Sequence, residues 1–255
     1  MDDDRSTVAG FVGGTGSATV FPTCLAEQLR PSLARTVADL LGRHGVNATV
    51  SHRTTCCGQP AWNSGLVAEA RRVARHTLRA LARTRQAVVV PSGSCATMMR
   101  EHWPELFRGT RDESAARDVA DRVREFSEFL APLVQDAAPA VDRVAYHDSC
   151  HMLRELGVRA EPRQVLASAG TVVDEMPTWQ LCCGFGGTFS VKLPEISAAM
   201  ADEKLDSVAA IGADVLVGCD LSCLMHLEGR AERRGMRLKT RHLAEHVADA
   251  GTPRG

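Results

Sequence analysis

The strongest constraint on this chain is a cysteine pattern that occurs twice. Cys24 is followed after 31 residues by the adjacent pair Cys56 and Cys57, with Gly58 next, and Cys95 lies 37 residues beyond the pair. Further along, Cys150 is followed after 31 residues by Cys182 and Cys183, with Gly184 next, and Cys223 comes 39 residues later. The flanking residues correspond as well: "PTCL" matches "DSCH", "TCCGQP" matches "LCCGFG", and "GSCATMM" matches "LSCLMH". Eight of the nine cysteines are thereby two copies of one arrangement, leaving Cys219 over. A repeat of this length means that one supersecondary unit has been used twice.

The segments between the cysteines alternate in type. In the first copy "SATVF" (17–21) reads as a strand, the stretch from Pro31 to Leu41 as an amphipathic helix ending near Gly42 to Gly45, and "VNATV" as a second strand. A helix over 65–84 follows, then the buried-type strand "AVVVP" (87–91) and a helix opening at "CATMMREHW". The second copy repeats the order: "RVAYH" (143–147), a helix over 161–169, "TVVDE", a helix over 194–211, "ADVLVG" (213–218) and a helix from about Ser222. Strands alternating with helices predict an α/β fold of two similar Rossmann-like halves, each with a parallel sheet, related by a pseudo-twofold internal repeat. The predicted boundaries are a flexible leader over 1–16, a first half over 17–140 that includes a long charged connecting helix at about 112–136, and a second half over 141–255.

In this arrangement every repeated cysteine follows a strand and precedes a helix. That edge of an open α/β sheet is where ligands bind, because loops from several strands converge there. Helix N-termini favour thiolate over thiol, and Gly58 and Gly184 let the backbone approach a bulky group closely. Four thiolates from three loops suit zinc or an iron–sulfur cluster. Structural zinc usually draws on short C-x2-C knuckles, which are absent from the repeat. Iron–sulfur is therefore favoured, with metal-free thiol redox chemistry and a zinc site as the alternatives. The candidate ligands are Cys24, Cys56, Cys57 and Cys95 in the first half and Cys150, Cys182, Cys183 and Cys223 in the second. Cys219 is a possible fifth cofactor-binding residue.

These residues resemble the cysteine-rich (CCG) domain pair shared by heterodisulfide reductase B subunits, glycolate oxidase iron–sulfur subunits and the lactate-utilization A family. The stretches "CCGQPAWNSG", "PSGSC", "CCGFGGTFSVK", "EIS" and "HLAE" are most similar to the last, over about Ala18 to Val247. The resemblance implies a cytoplasmic iron–sulfur oxidoreductase subunit carrying one or two 4Fe-4S clusters, noncubane in the heterodisulfide reductase relatives. It implies two partner subunits, one of them ferredoxin-type, and L-lactate as the 2-hydroxy acid oxidised to pyruvate. There are departures. Heterodisulfide reductase copies end in C-x-x-C, whereas the first copy here ends in Cys95 alone, with Pro91 and Ser92 where another ligand would sit. The second copy has Cys219, spaced C-x3-C from Cys223. By ligand count the second half is the favoured cluster site.

Other features carry less. "GFGGTFS" (184–190) lacks the Lys-Ser/Thr ending of a phosphate loop, no dinucleotide fingerprint occurs, and "GGTGS" (13–17) reads as leader. His147, His151 and His226 flank the cysteine loops, either as tuning neighbours or proton donors, or as loop histidines satisfied by a carbonyl. Met98, Met99 and Met225 read as core or cluster-shielding residues, and the arginine-rich stretches 71–85 and 230–241 as solvated helix faces. A net charge of -1, from 30 basic and 31 acidic residues without long single-sign blocks, offers nucleic acid nothing to bind. No stretch approaches the ~20 apolar residues of a membrane helix, and the acidic N-terminus is unlike a signal peptide. Without a cofactor fingerprint the chain reads as an electron-handling subunit. A heterodisulfide-type thiol/disulfide reductase and a metal-stabilised assembly protein without redox turnover are the other readings.

Overall fold

The computed structural model describes residues 16–135 and 137–250. Two four-stranded sheets carry the same order. The first is β2-β1-β3-β4, with β1 at Ser17–Val20, β2 at Asn47–Val50, β3 at Ala87–Val90 and β4 at Val123–Glu125. The second is β6-β5-β7-β8, with β5 at Asp142–His147, β6 at Thr171–Asp174, β7 at Val215–Gly218 and β8 at Lys239–His242. Every pairing is parallel. Parallel neighbours require crossovers, and the helices that supply them cover both faces of each sheet.

Side-chain alternation along the strands divides the core into three. Val88 and Val90 of β3 point to an outer core with Leu78, Met98 and Trp103, whereas Val89 between them points the other way. In the second half Leu216 enters an outer core with Leu205 and Leu227, while Val217 joins Val89. The central core thus holds residues of both sheets, and the halves form one body around it. The Leu33–Arg43 helix fits this position because its buried residues, Leu33, Val37, Leu40 and Leu41, recur at helical spacing.

The expected strands and helices lie where the repeat put them, with one correction. The long connecting helix at 112–136 does not exist. Its first part is the Glu113–Arg122 helix, the chain then becomes β4, and a short Phe126–Leu130 helix follows. The break is set by Glu125, whose carboxylate accepts from Ser127 N at 2.7 Å and Glu128 N at 3.2 Å, while Glu128 accepts from Glu125 N at 3.1 Å. This reciprocal box starts a new helix at Phe126, which is buried together with Val123. The fourth strand of each sheet, β4 and β8, is the part that the alternation did not reveal. Of the expected leader, residues 1–15 lie outside the described residues, while Gly16 O accepts from Asn47 N at 2.9 Å beside β1.

Candidate metal centre

All eight repeated cysteines line one cavity of about 450 Å³, formed where the two sheets present their C-terminal strand edges to each other. Cys24 and Cys150 are the first residues of the Cys24–Leu29 and Cys150–Arg154 helices. Cys95 and Cys223 lie in the first turns of the Gly93–Thr97 and Leu221–Arg233 helices. Four of the eight thiols are thus helical instead of lying in loops. The vicinal pairs occupy the loops after β2 and β6. All nine cysteines are free.

Glycine makes the vicinal turns possible. Gly58 (φ +93°) and Gly184 (φ +86°) adopt left-handed backbone, and a Cβ on either would approach a helix carbonyl, Ala70 O at 2.9 Å or Ser197 O at 2.5 Å. That conformation aims the backbone N–H of Gly58 at Cys56 Sγ and that of Gly184 at Cys182 Sγ, both at 3.4 Å. Phe185 N lies 3.5 Å from Cys183 Sγ. Amide donors converging on sulfur are what a thiolate needs when it leaves water.

The protonation pattern repeats with the geometry. Hydrogen bonds from Cys24 and then Cys57 draw the Cys56 thiol down to about 3. Hydrogen bonds from Cys150 and Cys183 draw Cys182 down to about 2. The donors are pushed up: Cys24 and Cys57 by bonding to Cys56, and Cys150 and Cys183 by bonding to Cys182, with burial adding to each. Cys223 is held down by Cys183 but burial wins and raises it. Cys57 and Cys95 sulfurs are 3.3 Å apart, and Cys150 and Cys182 sulfurs 3.9 Å. Each half is therefore a compact set of four cysteines, one of which, Cys56 or Cys182, is drawn toward thiolate by the others. Soft donors at this spacing, with amides aimed at them, fit a thiolate-ligated metal or cluster.

Cys219 is not part of this set. It follows β7 on the opposite side, fully buried in the central core, where it accepts from Tyr146 Oη at 3.3 Å and lies beside Glu125. Successive side chains diverge, so it is Asp220 that faces the cavity. With Cys219 turned away, each half offers four thiols, and ligand count no longer separates the halves. Asp220 has a different task that the sequence did not announce. Its carboxylate accepts from Ser92 Oγ at 2.7 Å, Ser94 N at 2.9 Å and Ser94 Oγ at 2.7 Å, and Ser92 Oγ in turn accepts from Cys95 N at 3.2 Å. A residue of the second half thereby fixes a cysteine turn of the first. Ser64 Oγ and Thr188 Oγ1, 3.0 Å apart, join the halves at another point.

The histidines diverge in role. His151 Nδ1 is 3.6 Å from Cys150 Sγ, and His226 Nε2 lies 3.2 Å from Ser197 Oγ. His147 is 1% exposed, both ring nitrogens lack a partner, and it groups with Cys183 and Cys223 as a possible ligand set, the ligand atoms lying within 4.8 Å of one another. Burial draws it down to about 3, so the ring is neutral. Lys204, fully buried, donates to Trp179 O at 2.7 Å, and burial lowers it to about 8 although the nearby Asp148 carboxylate and second-half cysteines pull it up. Met98 and Met99 are core residues, whereas Met225 is 39% exposed. Arg75 pairs with Asp112 and Arg230 with Asp202 on helix surfaces, but Arg241 lies in β8. "GFGGTFS" contributes Phe185, Gly186, Gly187, Thr188 and Ser190 to the cavity wall. Leu25 and Val191 line the mouth and stay exposed, giving it an apolar rim. Among the described residues no helix is long and apolar enough to cross a membrane.

Comparison with known proteins agrees with the internal repeat. The cysteine-rich domain family CCG matches residues 18–100 and again 144–228. Lactate utilization protein A of Geobacillus sp. (strain WCH70) is 40% identical over 232 residues, 89% of this chain and 97% of that protein. Lactate utilization protein A 2 of Bacillus mycoides (strain KBAB4) is 41% identical over 232 residues, 89% of this chain and 96% of that protein. In shape the chain is similar to a crystal structure of a hypothetical protein from Helicobacter pylori, at a TM-score of 0.62 and 8% identity. That likeness covers 98% of this chain and 54% of the other, and it shows the fold alone.

Proposed function

Because the chain belongs to the cysteine-rich CCG domain family, with relatives named lactate utilization protein A, we propose that it is the iron–sulfur subunit of a complex that oxidises L-lactate to pyruvate. The observation that carries this reading is the convergence of eight cysteines, as two sets of four, on one cavity. Cys24, Cys56, Cys57 and Cys95 would hold one cluster and Cys150, Cys182, Cys183 and Cys223 a second, each of the 4Fe-4S class. Such a cluster supplies a one-electron acceptor and donor.

The chain's own residues prepare that chemistry. Cys56 and Cys182 enter as thiolates, and the Gly58 and Gly184 amides hold the negative sulfurs without a proton. Lys204 sets positive charge beside the second set. Oxidation of lactate to pyruvate releases two electrons and two protons. Removal of the hydride equivalent belongs to a partner subunit, because the chain carries no dinucleotide fingerprint and its cavity presents thiols. The exposed apolar rim at Leu25 and Val191 suits the docking of two partner subunits, one of them ferredoxin-type, in the cytoplasm.

The test is anaerobic reconstitution followed by iron and sulfide analysis and EPR, then addition of the partner subunits and lactate. Iron and sulfide in the chain, and a cluster signal that lactate reduces only with the partners present, support the reading; an iron-free chain sinks it. A second reading, a heterodisulfide-type reductase, is favoured by the partial exposure of Cys24, Cys56, Cys150 and Cys182 in an open cavity. There a disulfide takes two electrons and two protons to give two thiols. Re-oxidation of the reduced chain by a disulfide, with no lactate-dependent reduction, would select it.

A further inference from the structure

His147 closes β5 three residues before Cys150, and the matching place before Cys24 is held by Phe21. Phe21 suits that place, being fully buried in the first outer core with Cys57 and Cys95. A histidine there is a different matter. It is just as buried, and neither Nδ1 nor Nε2 meets a protein partner. An imidazole with both nitrogens buried and unbonded is costly, so such a ring persists where something else engages it. A ring nitrogen, Cys183 Sγ and Cys223 Sγ lie within 4.8 Å of one another, close enough to meet at one metal ion after small adjustments.

The positions from which a fifth donor would otherwise come are taken. Ser92 and Asp220, the residues three before Cys95 and Cys223, are hydrogen bonded to each other across the halves. Cys219 faces Tyr146 and Glu125 in the central core. Among the described residues the ligand atom that joins Cys183 and Cys223 comes from β5, in the second half.

We propose that His147 is a fifth protein ligand of the second centre, bound through a ring nitrogen beside Cys183 and Cys223, so that this centre is Cys4His while the first is held by thiolates alone. The inference rests on the iron–sulfur reading above and deepens it. A neutral imidazole adds a nitrogen donor without changing the charge of the four cysteines, so the two centres differ in coordination and not in the number of thiolates.

The test uses the full chain reconstituted anaerobically with iron and sulfide, grown once with ordinary and once with 15N-labelled histidine. Pulsed EPR in oxidised and reduced states should reveal a directly coordinated nitrogen that changes with the isotope. His147→Phe, which installs the residue the first half already carries, should abolish that coupling and alter the EPR line shape of the second signal, leaving the first signal unchanged. The isotope comparison needs no variant, so a folding failure of His147→Phe leaves it intact. An iron-loaded chain without histidine coupling overturns the inference, as does a coupling that survives in His147→Phe and so originates from another histidine. A chain that takes up no iron instead brings down the underlying functional reading.

Discussion

The two halves share strand order, cysteine placement and the left-handed glycine after the vicinal pair, yet they surround their thiols differently. Where the first has Phe21, Thr77 and Ser92, the second has His147, Lys204 and Asp220. Thr77 is content with local backbone, donating to Cys56 O at 3.0 Å and accepting from Thr55 N at 3.1 Å. Lys204, at the matching place on its helix, brings a buried amine instead. The fold therefore fixes where eight sulfurs go, and a handful of buried polar groups makes the second set electrostatically unlike the first. Ionisable groups are expensive to bury, so their concentration on one side points to chemistry there.

The comparison breaks most simply by removing one sulfur at a time. Cys183→Ser should abolish the second-half signal and its iron while the first-half signal persists, and Cys57→Ser should do the reverse. Iron analysis and EPR on the two variants read this directly. Loss of all iron in both would mean that the eight thiols hold one shared centre, which the common cavity makes a real contest.

The next largest effect is expected at the glycines. Gly184→Ala forces a left-handed backbone on alanine and drives a Cβ to 2.5 Å from Ser197 O. We expect a loss of about 4 kcal/mol in denaturant unfolding, from backbone strain and overpacking together. Gly58→Ala meets Ala70 O at 2.9 Å and should lose less. Equal losses would show that strain at φ, which the two share, outweighs the difference in contact.

Much of this was legible in the sequence because the repeat reports itself twice. Strands such as "AVVV" are buried on both faces and read as apolar runs, and the cysteine spacing told which edges they share. β4 and β8 were hidden because their residues, "VRE" and "KTRH", look like surface helix. They are strands because their backbone pairs with β3 and β7, which no local propensity encodes. Cys219 misled for a related reason: a one-residue difference in spacing sends a side chain to the other face, and a count of cysteines carries no direction. Asp220 was invisible because its partners, Ser92 and Ser94, come from the other half. The likeness of the halves was written in the cysteines, and their unlikeness in residues whose meaning depends on contact.

The smallest expected effect concerns the ends of those hidden strands, where register matches Glu125 to Val90 and His242 to Gly218. Both are fully buried near Cys219, and burial keeps both neutral. Burial pushes the Glu125 carboxyl from 4.5 up to about 7, against the pull of its Ser127 and Glu128 donors. Between those values the unfolded chain releases a proton that the folded chain retains, so this residue's contribution to stability is greatest below pH 4.5 and falls as pH rises to about 7. Burial pulls His242 the other way, below 6.5, so its contribution is full above that pH and is lost as pH falls beneath it. In weakly acidic solution the two slopes oppose each other and flatten the stability profile. Glu125→Gln keeps an acceptor for the Ser127 and Glu128 amides and removes one slope. Its stability relative to the unsubstituted chain should climb by up to about 3 kcal/mol from pH 4.5 to above 7, read by urea unfolding across that range. A difference that stays constant with pH would mean that Glu125 is ionised in the fold. The matched pair would then be a buried charge facing a neutral ring instead of two groups kept neutral from opposite directions.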